Sequence, residues 1–229
     1  MKKKKLIIAA VLVLIAAVAA VLIFTRKNET ESNPESVNVA DIKIDASAGG
    51  ISVVSLENIS GMYVEDGSDE VMSGIFAATF RNDSDSDLQY AKLVLAAGKE
   101  DYIFELSTVP AGATVRAMEM NKKAFVSSKG EVTLKQENIA WFDEAPSMYS
   151  NMLKIIQRNN AIIVENISGQ TIAAPIYVYY KNYTDGVYIG GITYRAGTQE
   201  SLAPGKSVAL SAKHFDPDAS RLMFVTYAH

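Results

Sequence analysis

An unbroken run of nineteen residues, Leu6 to Phe24, is drawn only from Leu, Ile, Val, Ala and Phe. Such a segment has no polar side to turn towards water, so it restricts the possible folds more than any other feature. As a helix rising about 1.5 Å per residue it spans roughly 28 Å, close to the ~30 Å hydrocarbon core of a bilayer. Thirteen of the nineteen are Leu, Ile, Val or Phe. At about −0.3 to −0.6 kcal/mol each, insertion gains roughly 4 to 8 kcal/mol. Ala17-Val18-Ala19 has the small-x-small shape of a cleavage site. A secretory apolar region stops before its cut, after about 7–15 residues, whereas Val21-Leu22-Ile23-Phe24 prolongs this one. The expectation is a retained signal-anchor: a cytoplasmic stub and one transmembrane helix over residues 1–24. Lys2, Lys3, Lys4 and Lys5 outweigh Arg26 and Lys27, so the positive-inside rule keeps the N-terminus cytoplasmic and sends the C-terminal part outside the cell.

The net charge of −4 hides an asymmetry. Residues 1–27 carry six of the 22 basic side chains and no acid, which leaves sixteen basic against 26 acidic residues beyond them, a net of −10. With no basic stripe to neutralise phosphates, binding to nucleic acid is not expected. Cysteine is absent, which removes disulfides, thiolate metal sites and cysteine nucleophiles. Two histidines, His214 and His229, do not make a multi-histidine zinc site. No metal and no cofactor is expected.

Thr25 to Ala40 is polar and nearly free of large apolar groups, so residues 25–40 read as a flexible linker of roughly 20–25 Å. From residue 41 the texture changes to short apolar alternations broken by Gly, Asn, Asp and Pro, the pattern of strands and turns. Four blocks recur in one order. Ile42-Lys43-Ile44 pairs with Leu153-Lys154-Ile155, and Glu57-Asn58-Ile59-Ser60-Gly61 with Glu165-Asn166-Ile167-Ser168-Gly169. Phe80-Arg81-Asn82 pairs with Tyr180-Lys181-Asn182, and Val109-Pro110-Ala111-Gly112 with Leu202-Ala203-Pro204-Gly205. The repetition argues for a duplicated β unit, over 41–145 and, with a connecting turn, 146–229. Met148, Tyr149, Met152, Leu153 and Ile156 follow helical spacing, which predicts a short helical turn ahead of the second unit's first strand. Phe76, Ala78 and Phe80 share one strand face, as do Ile176, Val178 and Tyr180, and each set is a candidate core. The fold class expected is mainly β: one N-terminal transmembrane helix, then two tandem immunoglobulin-like β-sandwich repeats.

The Asn-containing turn, the Tyr- and Gly-rich strand and then Leu202-Ala203-Pro204-Gly205-Lys206-Ser207 resemble the small extracytoplasmic sandwich domains of Gram-positive bacteria, nearest to the FxLYD type. The resemblance covers about 70 residues. It implies a sandwich fold and an envelope location, and it brings no catalytic site with it.

Catalysis finds little support in the residues themselves. There is no G-x-S-x-G elbow, His214 reads as a strand-end residue, and Asp143-Glu144 reads as solvated charge. The acids of Asn82-Asp83-Ser84-Asp85-Ser86-Asp87 alternate like the start of a calcium loop. An EF-hand would need glycine and a bidentate glutamate where Leu88 and Val94 stand, so the stretch reads as a polar turn. Tyr177 and Tyr179 fall on the strand face opposite the expected core, and with Tyr183 and Tyr188 they are the candidate binding surface for a protein or a sugar ring. The functional expectation is a non-catalytic, membrane-anchored module that binds a protein or cell-envelope component. The alternative is a structural subunit of a membrane complex, assembled through the helix with Ala9-Ala10, Ala16-Ala17 and Ala19-Ala20 as packing positions.

Overall fold

Strands form where the alternation is strongest, and a computed structural model of the chain describes residues 44–45, 47–126, 132–158 and 161–228. The expected anchor (1–24) and linker (25–40) lie outside these residues. Those described are mainly β, and no helix among them is long and apolar enough to cross a membrane.

The first half supplies β1 (Ile44–Asp45), β2 (Ser47–Ala48), β3 (Ile51–Tyr63), β4 (Glu70–Asn82), β5 (Leu88–Ala97), β6 (Glu100–Val109), β7 (Thr114–Met118) and β8 (Val132–Trp141). The second half supplies β9 (Leu153–Arg158), β10 (Ala161–Asn166), β11 (Ala173–Thr184), β12 (Val187–Thr198), β13 (Ser207–Ser211) and β14 (Ser220–Ala228). They hydrogen-bond into three sheets: β1-β8-β5-β6, β13-β10-β9, and a seven-stranded β14-β11-β12-β7-β4-β3-β2. The order β7-β4-β3 is that of β13-β10-β9, and β8-β5-β6 is that of β14-β11-β12. Each half therefore has one sheet of each kind.

Each half also has its own core between its two sheets. Leu93, Leu95, Phe104 and Leu106 of β5 and β6 meet Phe76, Ala78, Phe80 and Val115 of β4 and β7. Phe76 is the hub, in contact with Tyr102, Phe104 and Phe125 at ring-centroid distances of 4.8, 5.4 and 4.5 Å. In the second core Leu153, Ile162, Val164 and Leu210 meet Ile176, Val178, Tyr180, Ala196 and Val225. Burying each such side chain contributes about 1.5–3 kcal/mol.

One join makes the long sheet continuous. Val187, Tyr188 and Ile189 of β12 run parallel to Thr114, Val115 and Arg116 of β7. Tyr188 stands beside Val115 and packs on the first core. It is also opposite Tyr183, whose odd-numbered position on β11 faces away from Ile176, Val178 and Tyr180. The two cores thus lie on opposite faces of the same sheet.

The topology changes the alignment of the repeat. The Ile42–Ile44 block begins outside the described residues; of the other three, only the Pro/Gly blocks occupy equivalent places, leading from β6 to β7 and from β12 to β13. Glu57–Gly61 lies within β3, whereas Glu165–Gly169 straddles the end of β10 and the turn after it. Phe80–Asn82 ends β4, which corresponds to β10, while Tyr180–Asn182 is in β11, which corresponds to β5. The true counterpart of Asn82 is Asn166. Ahead of β9 the chain makes the single helical turn expected and no longer helix, with the Met152 and Leu153 amides both bonding the Tyr149 carbonyl at 2.8 Å. Met148, Tyr149 and Met152 pack on the second core, which accounts for their spacing.

Candidate functional site

Tyr177 and Tyr179 leave the outer face of β11, as alternation requires, and both are half-buried. Tyr179 stacks on Phe224 of β14, its cross-strand partner, at 4.2 Å with the rings 9° from parallel. Phe224 meets Phe142 edge-on at 5.5 Å, and Tyr177 meets Tyr179 at 6.5 Å. The Arg195 guanidinium lies 4.8 Å from the Tyr177 ring centre, and Gln199 donates to the Tyr177 hydroxyl at 3.0 Å. Tyr177 also lies across Gly197, where any Cβ would collide with its ring. These side chains form a strip, Phe142–Phe224–Tyr179–Tyr177–Arg195. Tyr183 and Tyr188 are elsewhere, at the hairpin end of the same two strands. Their rings meet at 5.0 Å, Arg221 covers Tyr183 at 4.9 Å, and Tyr188 leans on the first core. The structure thus divides the four tyrosines into two pairs.

Between the pairs, on the same face of β11, is Lys181, which is fully buried. Its ammonium donates to the carbonyls of Ile192, Gly190, Gly191 and Ser107 at 2.7, 3.0, 3.0 and 3.1 Å. Glu65, 4% exposed, is the neighbouring charge. One of its oxygens accepts from the Met118 amide at 2.8 Å, the other from the Gly191 and Ile192 amides at 2.8 and 3.3 Å. Burial pushes the Glu65 carboxyl up to about 7, against the pull of those amides and of Lys181. Burial likewise brings Lys181 down to about 7, opposed by Glu65. The partners are nevertheless those of charged forms, carbonyls around an ammonium and N–H groups around a carboxylate. Each residue bridges the halves: Lys181 of β11 reaches Ser107 of β6, and Glu65 after β3 reaches β12. Close approach depends on Gly191, since a Cβ there would overlap the Glu105 carbonyl oxygen.

On the other face of β11–β12 opens a cleft of about 360 Å³, lined by Met62, Val64 and Asp69 from the first half and by Asn182, Tyr194 and residues 213–216 from the second. Asp69, at φ 59°, bonds Lys213 at 2.8 Å and His214 Nδ1 at 3.4 Å. The Lys213 hydrogen bond holds the Asp69 carboxyl below the usual range. His214 lies flat against Tyr194, 4.6 Å between ring centres. Burial, with Asp69 and Glu65 nearby, pushes the Tyr194 hydroxyl up to about 12. Among the described residues no three His, Asp or Glu side chains converge to hold a metal ion.

Comparison with protein families and with curated proteins found no match. The functional reading therefore rests on the chain's own geometry. Neither Lys181 nor the cleft was visible in the sequence: Lys181 sits where strand alternation places a solvent-facing residue. The recurring Glu-Asn-Ile-Ser-Gly block and the Pro/Gly turns were the signals read from the sequence, and they mark the scaffold.

Proposed function

We propose that the chain is a membrane-anchored, extracytoplasmic, non-catalytic module that captures a protein partner on the strip Phe142–Phe224–Tyr179–Tyr177–Arg195. The observation that carries this reading is the strip itself, half-exposed aromatics beside an arginine on an outer sheet face. Aromatics and arginine are the side chains most enriched among dominant interface contacts. A pyranose needs an open ring face, but Tyr179 is stacked on Phe224 and Tyr177 lies over Gly197. Ring edges and a guanidinium suit a protein surface better. The matching sheet orders support reading the halves as tandem immunoglobulin-like sandwiches, and the Leu202-Ala203-Pro204-Gly205-Lys206-Ser207 string supports the likeness to the FxLYD kind. The greasy Leu6–Phe24 run supports the anchor, and the lysines before it support placing the C-terminal part outside the cell.

Cross-linking in intact membranes tests the proposal. Partners captured by the native chain are expected to persist when residues 1–24 are exchanged for an unrelated anchor, and to fall about tenfold or more in the Tyr177→Ser/Tyr179→Ser variant. Capture that survives the tyrosine changes removes the strip. A C-terminal tag shielded from protease added to whole cells removes the topology.

A further inference from the structure

We propose that the strip Phe142–Phe224–Tyr179–Tyr177–Arg195 pairs with the same strip of a second copy of this chain across a two-fold axis, so that Asp143 and Glu144 of each copy meet Arg195 of the other. The inference rests on the strip being the contact surface, and it names the partner. It begins with charge. Asp143 and Glu144 are exposed and directly follow Phe142, and neither carboxylate has a hydrogen bond or ion pair among the described residues. Their segment runs beside β14, since Phe142 touches Phe224 and the Ser147 carbonyl accepts from the Val225 amide at 2.9 Å. Arg195 is two strands away on β12, exposed, and its guanidinium likewise has no hydrogen bond or ion pair among the described residues. Lying over the Tyr177 ring, it keeps the N–H groups of its rim for a carboxylate.

Opposite charges thus stand at opposite ends of one aromatic row, acid beside β14 and arginine on β12. Phe224 is next to the acidic end, and Tyr179, its cross-strand partner, is next to Arg195, so their stack marks the middle. A half-turn about an axis through that stack lays ring on ring and each acid pair on an arginine. Every contact is then made twice, as an isologous interface requires. An unrelated partner has to carry this pattern in reverse, whereas a second copy supplies it by symmetry. The other charges on this face leave the match intact. Lys181 is buried, Arg221 is turned to Tyr183 and the Ser220 carbonyl, and Glu200, in the turn after β12, makes no ion pair with Arg195. Charge pairs at an interface edge select partner and orientation more than they add affinity. The strip is small beside the roughly 800 Å² per partner of a standard interface, so the pairing is weak and reversible.

The test is sedimentation equilibrium of the full chain in density-matched detergent micelles, from about 1 μM to 1 mM. A monomer–dimer equilibrium is expected. Arg195→Glu should weaken it about tenfold or more, and so should Asp143→Arg/Glu144→Arg. The three changes together should restore it to within about threefold, a rescue that damage to folding does not produce. A dimer unmoved by either reversal, or no recovery in the triple variant, overturns the proposal. So do species that keep growing with concentration, which mark an open head-to-tail contact. A chain that stays monomeric while Tyr177→Ser/Tyr179→Ser still reduces cross-linking in membranes overturns the second copy and leaves the strip standing. A dimer indifferent to those tyrosine changes overturns both.

Discussion

Lys181 and Glu65 are two charges in dry surroundings, each fully hydrogen-bonded and each the other's neutraliser. Removing one leaves the other buried and unpaired. Lys181→Met or Glu65→Gln should therefore cost about 3–5 kcal/mol each in urea unfolding, and the double variant much less than the sum. The pH dependence has a definite sign. Glu65, raised to about 7, adds a folding cost that grows from the ordinary carboxyl range up to about 7. Lys181, lowered to about 7, carries a cost that is full below about 7 and is relieved as pH rises towards the ordinary lysine range. Stability of the native chain relative to the double variant should thus pass through a minimum near neutral pH. A flat difference across that range would show that the pair does not titrate. At Gly191 the constraint is steric: Gly191→Ala meets the Glu105 carbonyl and should cost about 1–3 kcal/mol on the same measurement.

Among elements, the two Asn turns explain why the halves repeat. The Asn82 amide nitrogen donates to the Ser86 and Val109 carbonyls at 2.9 and 3.0 Å, while its oxygen accepts from the Ser84 hydroxyl at 2.8 Å. Asn166 does the same with Gln170 and Leu202 at 2.8 and 2.7 Å, and with the Ser168 hydroxyl at 2.7 Å. Each Asn also exchanges backbone bonds with the later Pro/Gly turn, Asn82 with Ala113 and Gly112, Asn166 with Lys206 and Gly205. The Asn-x-Ser string thereby ties a strand end to a turn some 30 or more residues away, a local turn motif with a long-range partner. Asn82→Ala and Asn166→Ala each strand a buried carbonyl and should lose about 1–3 kcal/mol. Chemical denaturation of the two variants should give losses of similar size; a negligible loss in either would contradict equivalence of the turns. The sequence showed Asn166 within the recurring Glu-Asn-Ile-Ser-Gly block and Asn82 within a polar turn, but matching Asn58 to Asn166 put the first unit out of register. Asn58 instead brackets Phe125 with a pair of bonds, at 3.0 and 2.8 Å.

For the whole molecule, the halves keep separate cores and meet through a short parallel pairing, the Lys181–Glu65 joint, and Asp69 reaching Lys213 and His214. Such a seam is polar for its size, so its contacts respond to pH more than the cores do. The depressed Asp69 carboxyl contributes stability that is present above the ordinary carboxyl pKa and lost as pH falls through its lower folded value. Asp69→Asn should accordingly flatten the acid limb of the native chain's stability profile while leaving the alkaline limb alone. An unchanged acid limb would assign the acid response to other carboxylates. Because the cores lie on opposite faces of one sheet, the strip and the cleft also point to opposite sides.

Local periodicity determined much of this protein from the sequence alone. The alternation in Phe76–Phe80 and Ile176–Tyr180 assigned both core faces, and the placement of Tyr177 and Tyr179 opposite the second core followed from the same two-residue period. The Pro/Gly turns marked equivalent corners of the two halves. Tertiary structure alone decided which strands correspond, that Tyr183 and Tyr188 part from Tyr177 and Tyr179, and that Lys181 is enclosed. The physical reason is distance along the chain. Side-chain direction is set by immediate neighbours, whereas the environment of Lys181 comes from Ser107 and Glu65, and Glu65 reaches the Gly191 amide across 126 positions of sequence.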